Sequence, residues 1–222
     1  YIAVVIPTRN RSKLLLELLE NLSLCKTRDS LLWVIVVDSS DEKHEIKNEN
    51  FEKFTYLYSE IRSAAHQRNQ GLNLINASEN EKVTFVAFLD DDVRIPLNYF
   101  DEIVEKFEEI HNSVGISGIA INQAVKKTIL RRFWEVLLIK RQGKITATGI
   151  NFPVLPSSDQ PTKSQWLIGC SVWRFESIKY ERFQSDFPGQ SIYEDVIFSF
   201  QMSKKGLLLV LPHVKLQIGR AH

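Results

Sequence analysis

Cysteine is nearly absent from this chain: only Cys25 and Cys170 occur in 222 residues, far apart and outside any metal-ligand spacing. That excludes a disulfide-stapled scaffold and suits a reducing compartment. Glycine and proline are scarce, at 9 and 7 residues, and no low-complexity tract or internal repeat is present. No apolar run approaches the ~20 residues that span a bilayer, and no signal peptide heads the chain. Neither sign of charge dominates: 28 Lys and Arg against 27 Asp and Glu leave +1, which makes no global case for nucleic acid as a partner. A starting Met is also missing. Tyr1 opens directly on a strand-like run, so a piece trimmed from a longer chain is expected, with room for a membrane anchor or further domain outside it.

What remains is a globular composition, 44% hydrophobic and 25% charged, long enough to bury a substantial core. "YIAVVIP" (Tyr1–Pro7) and "LLWVIVVD" (Leu31–Asp38) read as strands buried on both faces. Between them Leu15, Leu18, Leu19 and Leu22 repeat at the spacing of an amphipathic helix. "FTYLYS" predicts a third strand, Arg62–Asn76 a helix and Lys82–Asp90 a fourth strand. This order predicts an α/β domain with a mostly parallel sheet flanked by helices. Farther on, Pro96–Ile110 reads as a helix, Val114–Ile121 as a strand, Ile192–Gly206 as a helix and "LLLVLP" as the last strand.

In such sheets ligands bind beyond the carboxyl ends of the strands. Three predicted strands end there in polar residues: Thr8, Arg9 and Asn10; Asp38; and the triplet Asp90, Asp91 and Asp92. Adjacent carboxylates repel, and a hard divalent cation shared with substrate phosphates relieves the repulsion. An extended backbone would point Asp90 and Asp92 one way and Asp91 the other. The bland alternative is an acidic strand end that caps a turn or is merely solvated. An EF-hand is excluded, because its sixth-position Gly and twelfth-position Glu are Ile95 and Asp101. An aspartyl-phosphate phosphatase would carry Thr or Val where Arg94 stands. What survives is a metal–diphosphate site for a nucleotide-activated donor.

Six short motifs in order carry a more specific resemblance: "VVIPTRNR", "VVDSSD", "SAAHQRNQGL", "FLDDDVRIP", "WLIGCSVWRFES" and "YEDVIFSFQMSKKG". Together they resemble the family-2 inverting nucleotide-sugar glycosyltransferases of the GT-A fold, over nearly the whole chain except 123–164. The resemblance implies one domain over 1–222, with a nucleotide-sugar half (1–98) and an acceptor half (99–222). It implies Mn²⁺ or Mg²⁺, a nucleoside-diphosphate sugar donor, UDP by default, and a saccharide or lipid-linked acceptor. A cytoplasmic role in bacterial surface-polysaccharide synthesis follows by analogy alone.

Carried over residue by residue, the resemblance places Pro7, Thr8, Asn10 and Arg11 around the base and Asp38 on the base or ribose. Arg68 and Asn69 go toward the nucleotide and diphosphate, with Gly71 allowing close approach. Asp90 and Asp91 go toward the ribose or donor sugar, and Asp92 binds the metal. Asp195 is the implied base, with Glu194, Trp166 and Gly169 on the acceptor side. Relatives carry a metal- or diphosphate-binding His after the last strand's Pro; His213 is the candidate, although Gln217 stands nearer the expected place. Capping remains the bland reading for Asp38 and Asp195. Two other functions compete: a nucleotidyltransferase, which should open with a Gly-rich phosphate loop that "IPTRNRSKL" lacks, and an inactive saccharide-binding relative.

One segment stands apart. "VKKTILRRFWEVLLIKR" holds six cations (Lys126, Lys127, Arg131, Arg132, Lys140 and Arg141) against Glu135 alone, so +5 locally in a chain of +1. Its apolar residues recur at helical spacing. It is either a helix packed on the core with solvated cations, or a peripheral contact through 126–141 with anionic lipid at the inner membrane face.

Overall fold

The computed structural model describes residues 1–25, 27, 31–43, 46, 48–78, 81–121, 141–154, 160–185 and 193–219. Of the basic segment 126–141 only Arg141 falls among these, so both readings of it lie outside the described residues.

The apolar runs become a parallel block. β1 (Ile2–Thr8) lies between β2 (Leu32–Asp38) and β4 (Phe85–Phe88), and β3 (Lys53–Tyr58) extends the block beyond β2. Alternation along β1 sends Ile2, Val4 and Ile6 to one face and Ala3 and Val5 to the other, and both faces are covered. α1 (Ser12–Ser23) covers the first face with Leu15, Leu18, Leu19 and Leu22, each 1% exposed. Burying each such side chain contributes roughly 1.5–3 kcal/mol. α3 (Tyr99–Glu109) joins that face through Phe100, Ile103 and Phe107. α2 (Ala64–Ala77) covers the other face, its first turn capped by Ser63 Oγ, which accepts from the His66 N–H.

Beyond β4 the order departs from simple alternation. β8 (Ser171–Arg174) inserts antiparallel between β4 and β6 (Ser113–Ala120), and β9 (Leu207–Ile218) then runs parallel to β6. β1 to β4, β6 and β9 therefore share one direction, and the sheet is mostly parallel as the sequence predicts. Short β5 (Val93–Arg94) and β7 (Thr162–Ser164) pair antiparallel with β9.

β9 continues six residues past the expected stop at Pro212. The register with β6 slips between Ser117↔Val210 and Ile119↔Lys215, so Pro212 falls in a bulge where no ladder donor is needed. Gly118 faces this bulge; a Cβ there would stand 2.3 Å from the Val214 carbonyl oxygen. Gly71 has a similar task, since a Cβ would meet Val5 Cγ1 at 2.5 Å. It seats α2 on β1 and does not open space for a nucleotide.

α4 (Phe175–Ile178) follows β8, and α5 (Glu194–Met202) returns over the α2 face. Phe198 of α5 stacks on Phe183 at 4.1 Å and meets Trp173 and Phe88 edge-on. This cluster fixes the height of the α5 N-terminus. Phe198→Ala is expected to lower unfolding stability by about 3–5 kcal/mol in a urea titration. A loss under 1 kcal/mol would show that α5 is held elsewhere.

Candidate active site

The carboxyl ends of β1, β2 and β4 stand side by side, and the predicted polar residues gather there. A cleft of about 330 Å³ is lined by Thr8, Asn10, Ser12, Asp38, Ser40 and Asp41. Asp38 is 4% exposed, and its carboxylate accepts from Ser40 N–H (2.8 Å), Ser40 O–H (2.5 Å) and Tyr56 O–H (2.6 Å). It thus forms the turn cap that the bland reading foresaw while still facing the cleft. Asn10 adopts φ 54°, a left-handed conformation that asparagine tolerates. Its amide exchanges two hydrogen bonds with Asp41, of 2.8 and 3.0 Å, locking the β1 turn to the β2 turn. The Asn10 bond, with Arg62 and Arg9 also reaching Asp41, holds that carboxyl below its ordinary range. Pro7 lies just behind the cleft, buried in the ladder opposite Val37.

The acidic triplet does not continue β4. The strand ends at Phe88, and Val93 N–H donates to the Asp90 carbonyl, closing a turn over Asp90–Val93. Strict alternation therefore fails. Asp91 and Asp92 both face Arg11, at 3.2 and 3.8 Å, and Asp91 also accepts from Thr8 O–H at 2.7 Å. Asp90 instead turns to Arg68, with Nη2 at 2.6 Å. Burial pushes the Asp91 and Asp92 carboxyls up, and for Asp92 the neighbouring Asp90 and Asp91 charges add to that.

Arg68 joins the two halves of the site. It is 3% exposed, and its Nη1 donates to Glu194 Oε1 at 2.9 Å while Nη2 holds Asp90. Its guanidinium sits 5.5 Å from the Phe183 ring centre. Gly169 backs this contact: a Cβ there would lie 3.3 Å from Arg68 Nη2 and 3.4 Å from Asp90 Oδ2. Cys170 donates weakly to Asp90 at 3.8 Å.

Tyr193 caps α5 at φ 75°, a costly conformation for a bulky residue. Asp195, in the first turn, accepts from Val196 N–H at 2.8 Å. Burial raises its pKa to about 6, opposed by Arg68 and reinforced by Glu194 and Asp90. Asp195, Asp90, Trp166 and Gly169 all line a second cavity of about 500 Å³. Trp166 is oriented by its Nε1–H, which donates to the Phe152 carbonyl at 3.0 Å.

Like Gly71, the residues Asn69, Glu194 and His213 sit differently from the carried-over roles. The Asn69 amide is occupied in both directions by the Phe183 backbone, at 2.8 Å each way, so it anchors a loop and does not face a diphosphate. Glu194 is turned to Arg68 and is absent from the cavity lining. His213 pairs with Glu102 of α3 at 2.9 Å. It lies in the bulge before Lys215, and from Lys215 the strand runs about 13 Å more to Gly219, whose N–H donates to the Asp92 carbonyl. The bulge at Pro212, not the acid cluster, sets where His213 points.

Sequence reading also missed Gln67, whose side-chain N–H₂ donates to the Thr8 and Val37 carbonyls and closes the ends of β1 and β2. Its place beside Arg68 in "HQRNQG" was the available signal.

The donors here are carboxylate oxygens, the kind a hard cation takes. Five carboxylates (Asp90, Asp91, Asp92, Glu194 and Asp195) are met by the guanidiniums of Arg11 and Arg68. Among the described residues no three His, Cys, Asp or Glu side chains form a ready-made cage. A cation here would take one or two carboxylates and complete its shell from phosphate oxygens and water, as Mg²⁺ commonly does.

Acids, a cleft and a cavity at the carboxyl edge of a mostly parallel α/β sheet stand where ligands bind in such folds. The sequence model of glycosyl transferase family 2 matches residues 3–164, and the chain belongs to that family. The α5 helix lies beyond the matched span. Among curated proteins none matches the sequence. The fold is similar to S. aureus TarS 1–349 in complex with UDP-GlcNAc, at TM-score 0.66 and 17% identity over 100% of this chain and 59% of that one. The same protein in complex with UDP gives 0.64, again at 17% identity, over 97% of this chain and 59% of that one. The chain thus spans a little over half of these TarS structures. No helix among the described residues is long and apolar enough to cross a membrane.

Proposed function

We propose that the protein transfers a sugar from a nucleoside diphosphate, UDP by preference, to a hydroxyl of a saccharide or lipid-linked acceptor, inverting the anomeric carbon. The observation that carries this reading is Asp195, held at a raised pKa on the wall of a cavity it shares with Asp90. UDP and UDP-GlcNAc, bound by the structurally similar TarS, support the donor class.

Thr8, Asn10 and Asp38 bound the cleft that receives the nucleoside, with Ser40 and Gln67 holding its walls rigid. Arg68 and Arg11 set the positions of Asp90 and Asp92. A divalent cation held by Asp92, when bound, offsets charge on the departing diphosphate. The acceptor hydroxyl attacks the anomeric carbon as the bond to the diphosphate oxygen breaks, and Asp195 takes the hydroxyl proton. One displacement gives inversion.

A thermal-shift titration tests the donor and metal together. UDP with Mn²⁺ at 100 times its Kd should stabilise the protein by about 2.7 kcal/mol, and UDP with EDTA by far less. Asp92→Ala should abolish the difference between the two. Equal shifts with and without metal would remove the cation from the scheme.

A further inference from the structure

The cavity beside Asp195 divides by polarity. The buried side chains of its lining are those of Ser117, Ile119, Val154, Leu167 and Val210, each residue no more than 9% exposed. Four of these are aliphatic. The fifth carries a hydroxyl, and Ser117 Oγ is buried with no hydrogen-bond partner. Such an orphan is uncommon, because a buried hydroxyl without a partner costs stability.

Strand geometry aims it. Ile116 packs with the α1 and α3 face, so Ser117 points to the opposite face. Its ladder partners agree: Ser117 pairs with Val210, which lies in the core of the α2 and α5 face and also lines the cavity. Ser164, which lines the same cavity, is already satisfied by the Gly143 and Trp166 carbonyls. Of the two serines lining the cavity, Ser117 alone is unengaged.

The cavity and the nucleotide cleft share no lining residue. Asp195, the proposed base, stands on the cavity side, where the acceptor must approach.

We infer that this cavity receives an acceptor sugar bearing an acetamido group, whose carbonyl accepts from Ser117 O–H while its methyl packs among Ile119, Val154 and Leu167. This rests on the glycosyl-transfer reading above. Asp90, Asn151, Tyr193 and Asp195 also line the cavity and can meet ring hydroxyls, but a hydroxyl pressed among Ile119, Val154 and Leu167 would have Ser117 alone to pair with, and each hydroxyl left unpaired weakens binding. An acetamido group matches the wall with one acceptor and one methyl.

NMR titration of the protein with UDP and Mn²⁺ present tests the inference, using methyl N-acetyl-β-glucosaminide against methyl β-glucoside. The acetamido sugar should bind roughly tenfold more tightly. Ser117→Ala, which removes the oxygen without adding bulk, should weaken it about three- to tenfold, and Ser117→Val should block it, with UDP affinity unchanged in both. Equal affinity for the two glycosides, or a preference indifferent to both substitutions, overturns the inference. So does an effect seen only between UDP-GlcNAc and UDP-glucose, which would assign the hydroxyl to the donor. Failure of UDP itself to bind would instead strike the proposed function.

Discussion

Asp195→Asn should abolish sugar transfer and, at pH 8, make the protein more stable. Loss of a general base typically costs 10²–10⁴ in rate, while UDP binding should hold within about twofold. The stability gain follows from the raised carboxyl. A group whose pKa climbs from 3.8 unfolded to about 6 folded favours the native state below pH 4, and that contribution is lost as pH rises through 6. At pH 8 the wild type therefore carries an ionised, poorly solvated carboxylate whose penalty is on the order of 3 kcal/mol. Asparagine removes that penalty and can still accept from Val196 N–H. The melting temperature of the variant should exceed wild type by about 9 °C at pH 8 and match it near pH 4. Wild-type turnover should fall below pH 6 as Asp195 gains its proton. A variant that turns over normally, or a stability difference independent of pH, would take the base role from Asp195.

Arg68→Met should be the most destabilising change at the site. Glu194 is 7% exposed and receives an Arg68 N–H, so removal strands its buried carboxylate; breaking such a pair costs about 3–5 kcal/mol. Asp90 adds less, because its side chain is 38% exposed and water can replace the lost contact. Pairing the substitution with Glu194→Gln should recover roughly 1–3 kcal/mol in urea unfolding. The acid limb of the activity profile should also move to higher pH, since Arg68 is what draws the Asp195 carboxyl downward. Full additivity of the two substitutions would mean that the ion pair contributes nothing.

Local pattern carried the first half of this structure. β1, α1 and β2 are long and strongly periodic, and their ends deliver Thr8 and Asp38 to one edge without further information. Pairing between distant segments was not legible. Nothing in "CSVWR" says that β8 will insert antiparallel between β4 and β6, because that depends on partners over fifty residues away. The turn at Asp90–Val93 is hidden in the sequence for a related reason. An apolar run predicts a strand but not the residue where its neighbour's ladder stops. The motif order singled out Arg68, Asp90 and Asp195, which the fold brings together, yet it did not distinguish side chains facing the cavity from those, such as Asn69 and Glu194, that are turned to other protein groups. Ser117 carried no sequence signal, since a serine within a strand is ordinary.

The anomalous scattering of manganese in a crystal grown with UDP would locate the cation. A single strong peak is expected within about 2.3 Å of an Asp92 carboxylate oxygen and in contact with the UDP phosphates. Nucleotide bound in the Thr8–Asp38 cleft with no metal at Asp92, or metal bound near His213, would contradict the proposed role of the cation.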